Sequence, residues 1–192
     1  MLFSKKNSAL VFAMSLLSTQ SSATIFTVSS HIEQSTVSSI NAEDTVVYTT
    51  GSSFTGHAGT EVHNYGDIFL NDGTAILYEA GSSYTSYAGS YAVNNIDVIN
   101  HGIFDIQAGS IVDGTGSFTQ EDGGTIIVNG TVTIGSVNIL GSGYLGGSGT
   151  INGNVYAAGS DVIINSGNSP GTLTVNGNLT VEDGAQIILE VG

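Results

Sequence analysis

The sequence predicts an all-β domain wound as a single-stranded parallel β-helix, a β-solenoid of about seven coils. Three observations predict it. Asn-Gly or Asn-x-Gly recurs as Asn64-Tyr-Gly66, Asn100-His-Gly102, Asn129-Gly130, Asn152-Gly153 and Asn176-Gly177, at intervals of 36, 29, 23 and 24 residues. A period near 23 is long enough for three short strands and three turns. The segments between these points are short, β-branched and bounded by Gly, Asn or Asp. The chain also holds 27 Gly and one Pro, and nothing after residue 23 keeps a 3.6-residue apolar period for three turns.

Taken from the N-terminus, residues 1–23 read as a secretory signal. Lys5 and Lys6 start it, Ala9 to Leu17 is the apolar run, and Ser21-Ser22-Ala23 is a small-residue cleavage site. That apolar run is far short of the ~20 residues that cross a bilayer core. Residues 24–45 are polar and irregular and are expected to cap the first coil or form an irregular one. Residues 46–192 form the β-helix proper. Asp67–Leu70, Ala75–Tyr78 and Ile103–Ile106 are its less regular strands. Thr125–Val128, Thr131–Ile134, Ser136–Leu140, Asp161–Ile164, Thr172–Val175, Asn178–Val181 and Gln186–Val191 are its clear ones. Leu173/Val175 and Leu179/Val181 share one face and Thr and Asn the other, the period of two that a strand imposes.

Asn-Gly between strands two residues apart also suits a type I′ hairpin, so an antiparallel meander competes with the β-helix. The period near 23 favours the β-helix, with Asn and Gly taking left-handed geometry at a corner of each coil. At ~4.8 Å per coil the rod is on the order of 35 Å long. Leu189-Glu190-Val191-Gly192 runs on without a polar cap, and an open coil invites end-to-end self-association through strand edges. The expectation is a passenger truncated at its C-terminus.

Composition narrows the partners. Charged residues are 9% and hydrophobic residues 40%, which favours folding over disorder. Both basic residues are Lys5 and Lys6, so residues 24–192 carry sixteen acids and no Lys or Arg. Such a surface repels nucleic acid and anionic lipid. Within residues 24–192 side-chain ion pairs can form only through protonated histidine. The chain has no Cys, so no disulfide framework holds it.

Gly146-Gly-Ser-Gly-Thr-Ile-Asn-Gly-Asn-Val155, Asn168-Ser-Pro-Gly-Thr-Leu-Thr-Val-Asn-Gly-Asn-Leu-Thr180 and Ile187–Glu190 together resemble the passenger-associated repeat of bacterial autotransporters. About a quarter of the chain carries the resemblance. It implies a right-handed parallel β-helix, displayed on or released from a Gram-negative cell surface and working in adhesion or aggregation. Its partners would then be proteins or glycans of a host or neighbouring cell. Such proteins normally continue into more β-helix and then a membrane barrel or sorting signal, so the resemblance adds to the expectation that residues 24–192 are a truncated piece.

Catalytic chemistry is thinly represented, and the chain reads as non-enzymatic. A lyase acting on acidic sugars wants a cationic base and cations for uronate groups, and none follows residue 23. A glycoside hydrolase needs two carboxylates ~5–10 Å apart across a cleft; Glu121-Asp122 and Glu182-Asp183 each precede Gly and read as solvated turns. Asn168-Ser169-Pro170-Gly171 is a repeat turn and not a nucleophile elbow. The histidines are His31, His57, His63 and His101; His57, Glu61 and His63 lack the spacing of a metal site and read as surface residues. Asp-Gly steps at Asp72, Asp113, Asp122 and Asp183 leave room for weak calcium binding only. No cofactor is expected. Asn129-Gly-Thr131 and Asn178-Leu-Thr180 match a glycosylation sequon, incidental in a bacterial protein. The one ligand-face candidate is Tyr78, Tyr84, Tyr87 and Tyr91. Exposed among Ser and Thr, they would make a glycan-stacking or protein-contact face; turned inward, they would fill a wider coil.

Overall fold

Four-residue strands separated by tight turns let the backbone close a three-sided coil and then pair each side with the coil above. The computed structural model describes residues 23–167, 171–182 and 184–189. The expected leader up to Ser22, the Asn168-Ser169-Pro170 step, Asp183 and residues 190–192 lie outside the described residues.

The first face stacks β1 (Ile25–Val28), β4 (Thr45–Tyr48), β7 (Asp67–Leu70), β10 (Tyr91–Asn94) and β13 (Ile111–Asp113). It continues into the first parts of β16 (Thr131–Leu140) and β18 (Thr150–Ala158), then β20 (Thr174–Val175). The second face holds β2 (His31–Gln34), β5 (Ser53–Gly56), β8 (Ala75–Tyr78), β11 (Asp97–Asn100) and β14 (Ser117–Gln120). The later parts of β16 and β18 and then β21 (Leu179–Val181) complete it. The third face is an eight-stranded sheet. It holds β3 (Val37–Ile40), β6 (Glu61–Asn64), β9 (Ser83–Ser86), β12 (Ile103–Ile106), β15 (Thr125–Val128), β17 (Tyr144–Gly147), β19 (Ile163–Ser166) and β22 (Gln186–Ile188).

All these pairings are parallel, as in β6 with β9 and β15 with β17, and no helix occurs among the described residues. The chain is therefore a β-solenoid of about seven turns. Residues 24–45, expected as a cap or irregular first coil, hold the three four-residue strands β1–β3.

One turn takes as few as 18 residues (Ser136 opposite Asn154) and as many as 24 (Val37 opposite Glu61). The longer turns spend their extra residues on four-residue corners such as Thr49–Ser52, where Ser52 N–H and Oγ–H both donate to Thr49 O. The shorter ones bend inside a continuous strand, with a register shift between Thr133 and Ser136.

Alternation sends every second side chain into the bore. On the first face Val46, Ile68, Ala92, Val112, Val132 and Ile151 are register partners from turn to turn. On the second Ile32, Phe54, Ile76, Val98, Phe118, Val137 and Val155 stack in the same way. Val62, Tyr84, Phe104, Ile126, Leu145 and Ile164 line the third. Each fully buried aliphatic or aromatic side chain contributes about 1.5–3 kcal/mol, and its contacts lie mainly on adjacent turns. In the last described turn Leu179, Val181 and Ile187 continue these stacks and are exposed.

The Asn-x-Gly phrase marks no single corner. Asn64 and Asn129 sit where the third face leads to the first, Asn100 where the second leads to the third, and Asn152 and Asn176 where the first leads to the second. Only Asn152 and Asn176 are one turn apart, and Asn176 Nδ2 donates to Asn152 Oδ1 at 2.9 Å. The glycines of the phrase do not take left-handed geometry. Gly66 is needed because a Cβ there would overlap the backbone oxygens of Asn41 and Asp44 on the preceding turn. Positive φ falls instead at corners such as Gly51, at 84°, where a Cβ would meet open space.

These two kinds of glycine respond differently to substitution. Gly66→Ala is expected to cost several kcal/mol or prevent folding, since rigid backbone must move. Gly51→Asn is expected to cost about 1 kcal/mol or less, because Asn tolerates the left-handed region. Urea denaturation followed by circular dichroism measures both.

Candidate functional site

The bore is occupied mainly by the chain's own apolar side chains, so the outer side is where side chains are free to meet a ligand. Tyr65 and Tyr87 are the first residues past β6 and β9, and their amides donate to Ile40 O and Asn64 O, each at 2.9 Å. They therefore hold the same position on consecutive turns, about 4.8 Å apart along the axis. Their rings stack with centroids 4.2 Å apart and planes 11° from parallel. Tyr65 is 40% exposed.

His63, outward on β6, joins the stack to the sheet. Its Nδ1 shares a hydrogen bond with the Tyr87 hydroxyl at 3.0 Å, and its Nε2 lies 3.4 Å from Glu61 Oε2. One turn on, Gln107 continues the tyrosine column, its amide donating to Ser86 O at 2.9 Å. Gln107 Nε2 donates a long bond, 3.5 Å, to Asp105 Oδ2, while Asp105 Oδ1 is buried without a partner. Partial burial raises the Asp105 carboxyl above the ordinary range, and Gln107 opposes the shift. The Tyr87 hydroxyl is pushed up first by burial, then by its bond to Tyr65 and by the nearby Asp105 and Glu61 carboxylates. This phenol is a hydrogen-bonding group and is poorly suited to act as a base. Around the corner Tyr91 meets Phe69 edge-on at 6.4 Å.

The four tyrosines expected to share a face therefore divide. Tyr87 and Tyr91 lie outside, where the Tyr87–Ser90 turn carries the chain from the third face to the first. Tyr78 and Tyr84 point into the bore, 5% and 3% exposed. There Tyr84 stacks on Phe104 at 4.3 Å, Tyr78 meets Phe54 and Phe104 at 5.4 and 5.6 Å, and Asn64 Nδ2 donates to the Tyr84 hydroxyl at 3.1 Å. With Gln34, Asn94 and the aliphatic residues of the first turns, these rings line a void of about 70 Å³. Tyr65 takes the place the inner pair leaves. Its one available signal is its 22-residue spacing from Tyr87, masked by its position inside Asn64-Tyr-Gly66.

Among the described residues no three His, Cys, Asp or Glu side chains converge to hold a metal ion. His57 pairs with Glu79 at 2.8 Å and His63 with Glu61, so His57, Glu61 and His63 are not brought together on one ion. Asp72 lies at the β7–β8 corner, Asp113 ends β13 and Asp122 lies at the β14–β15 corner, so they form no common column. Of the two acidic pairs, Glu121-Asp122 occupies a turn closed by Gly124 N–H donating to Glu121 O at 2.8 Å. Comparison with family models, with curated proteins and with solved structures finds no match.

Burial fixes the ionisation of the inner phenols. Loss of water pushes Tyr78 well above the ordinary value near 10, and Tyr84, relieved in part by Ser86 and Asn64, is pushed up to about 12. Because the fold favours the neutral phenol, this stabilisation is complete below the unfolded value and is lost as pH rises through the folded one. An alkaline titration is expected to hold Tyr78 and Tyr84 un-ionised until the sheet signal collapses, with Tyr84→Phe reducing the tyrosinate absorbance gained in that step. Ionisation of either ring within an intact sheet contradicts the assignment.

Proposed function

We propose that this chain is the rod of an exported, surface-displayed β-helix protein of the autotransporter-passenger kind, acting without catalysis in adhesion or aggregation. The observation that carries the reading is the outer patch formed by Tyr65, Tyr87, His63, Glu61, Asp105 and Gln107. It offers stacked aromatic surface with hydrogen-bonding groups around it on a repeating rigid support, which is how a binding surface concentrates contact at low entropic cost. The leader-like residues 1–23 and the repeat resemblance at 146–190 support export and display. The absence of Lys and Arg after residue 6 favours neutral partners over acidic ones.

A glycan-binding role is the version of this reading that the patch favours, because tyrosine rings and carboxylate or amide acceptors suit neutral sugars. It moves the ligand face from the Tyr78–Tyr91 set to Tyr65 and Tyr87, with Tyr91 alongside.

Binding of the labelled chain to a glycan array and to cultured cells tests both versions. The double substitution Tyr65→Ala and Tyr87→Ala is expected to lower binding at least about tenfold, the effect of losing ~1.4 kcal/mol of contact, with little change in the urea midpoint. A wild-type chain that binds neither surface, or binding untouched by the double substitution, removes the proposal. Depolymerisation of a polysaccharide by the wild-type chain would replace it with an enzymatic one.

A further inference from the structure

A second column of chemically distinctive side chains runs along the corner between the second and third faces. His57, Glu79, His101 and Glu121 directly follow β5, β8, β11 and β14. Their amides donate to Gln34 O, Gly56 O, Tyr78 O and Asn100 O of the preceding turns. They therefore hold one position on four consecutive turns, each about 4.8 Å from the next along the axis. His57 Nδ1 lies 2.8 Å from Glu79 Oε2, and His101 Nε2 lies 3.6 Å from Glu121 Oε2. Nε2 of His101 is buried and has no hydrogen-bond partner.

The surroundings add acids and one further imidazole. Glu33 of β2 acts on His57 from the first turn, and its Oε1 lies 3.3 Å from His31 Nε2. Asp122 follows Glu121. Asp97, at the far end of β11, accepts from the Ser117 and Thr119 hydroxyls. No Lys or Arg follows residue 6, so only the imidazoles can bring positive side-chain charge to this corner.

We propose that the His57–Glu79–His101–Glu121 column is a proton-operated seam that ties four consecutive turns together in mild acid and loosens in mild alkali. With both imidazoles protonated the column alternates positive and negative from turn to turn, and each imidazole attracts the glutamate of the next turn, His57 attracting Glu79 and His101 attracting Glu121. With both neutral it keeps two glutamates, with Glu33 and Asp122 nearby, and nothing to oppose them. The surface role proposed above does not depend on this seam.

The direction of the effect follows from His57. Its hydrogen bond to Glu79 raises its proton affinity, with charge attraction to Glu79 and Glu33 adding to the effect and desolvation opposing it. A histidine raised in the fold stabilises fully below its unfolded value, about 6.5, and loses that contribution as pH rises through the folded value. Acidification also lowers the net negative charge everywhere, so the column must be separated from that general effect by substitution.

Thermal melts of the 192-residue chain at about pH 6 and about pH 8.5, on either side of the histidine range, provide that separation. The wild type is expected to melt several degrees higher at the lower pH. H57N/H101N is expected to lose at least half of that difference, and H31N/H63N, whose carboxylate partners Glu33 and Glu61 lie on the same strands as the histidines and so tie no turns together, to lose clearly less. NMR titration of the imidazoles in wild type and E79Q decides the matter even if a double variant fails to fold: E79Q should lower the His57 midpoint. A full pH difference in H57N/H101N, an equal loss in H31N/H63N, or a His57 midpoint indifferent to E79Q would each overturn the proposal.

Discussion

The hydrogen-bond ladder between turns is the constraint from which the rest of this structure follows. The strands, mostly about four residues long, have no partner within their own turn, so their amides and carbonyls pair with residues 18–24 positions away. Because the pairing is parallel and in register, every position on the coil becomes a column, and each column sets one side chain on another about 4.8 Å away. A chain with sixteen acids and no Lys or Arg beyond residue 6 can accept this geometry only if its carboxylates avoid one another. They do: in the described strand register Glu33 faces Thr55, Glu61 faces Val37 and Ser83, Asp67 faces Thr45 and Tyr91, and Asp113 faces Val93 and Thr133. No carboxylate lies opposite another, which spares the sheet the repulsion that directly opposed like charges cause.

The same columns divide the interior from the surface. From Ile126 onward the bore is filled by aliphatic residues such as Val132, Val137, Ile139 and Leu145, which are fully buried. Nearer the N-terminus the turns are longer, and Tyr78, Tyr84, Phe104 and Phe118 occupy the wider space with Asn64, Asn100 and Gln120 beside them. The inner amides also bond to the corners: Asn64 and Asn100 each accept from the glycine amide two residues on, at 3.1 and 3.0 Å. Aromatic and amide side chains thus solve a packing problem inside while the outer tyrosines remain for contact. The outer patch and the His–Glu column lie at different corners, so substitution at one leaves the other's contacts in place.

The coil itself was legible in the sequence because β-branched residues, Gly-rich corners and a recurrence near one turn's length all point the same way. Which corner each Asn-x-Gly occupies was not legible, since all three corners use the phrase for the same reason: a backbone oxygen of the preceding turn lies where a Cβ would go. The inward turn of Tyr78 was hidden because both alternations of Ala75-Ile76-Leu77-Tyr78 are apolar, so the period of two does not choose between them. Tyr84, a lone ring among Ser83, Thr85 and Ser86, resembles a surface residue locally, and only its stacking on Phe104 one turn later explains its burial. Tyr65 escaped notice because its partner Tyr87 is near only once the turn length is known. Column neighbours, and with them both sites, become visible only after the register is fixed.

Parallel, in-register stacking is therefore the central claim, and the lack of native Cys makes it directly measurable by paired cysteine substitution. Thr133 and Asn152 are register partners on adjacent turns, with Asn152 Nδ2 donating to Thr133 Oγ1 at 3.1 Å. A hairpin turning at Asn129-Gly130 would instead set Thr133 opposite Ile126. Under mild oxidation T133C/N152C should form an intramolecular disulfide, since register partners fall within the ~4.4–6.8 Å that such a bond spans, and T133C/I126C should not. A disulfide in T133C/I126C with none in T133C/N152C would contradict the solenoid and restore the antiparallel meander.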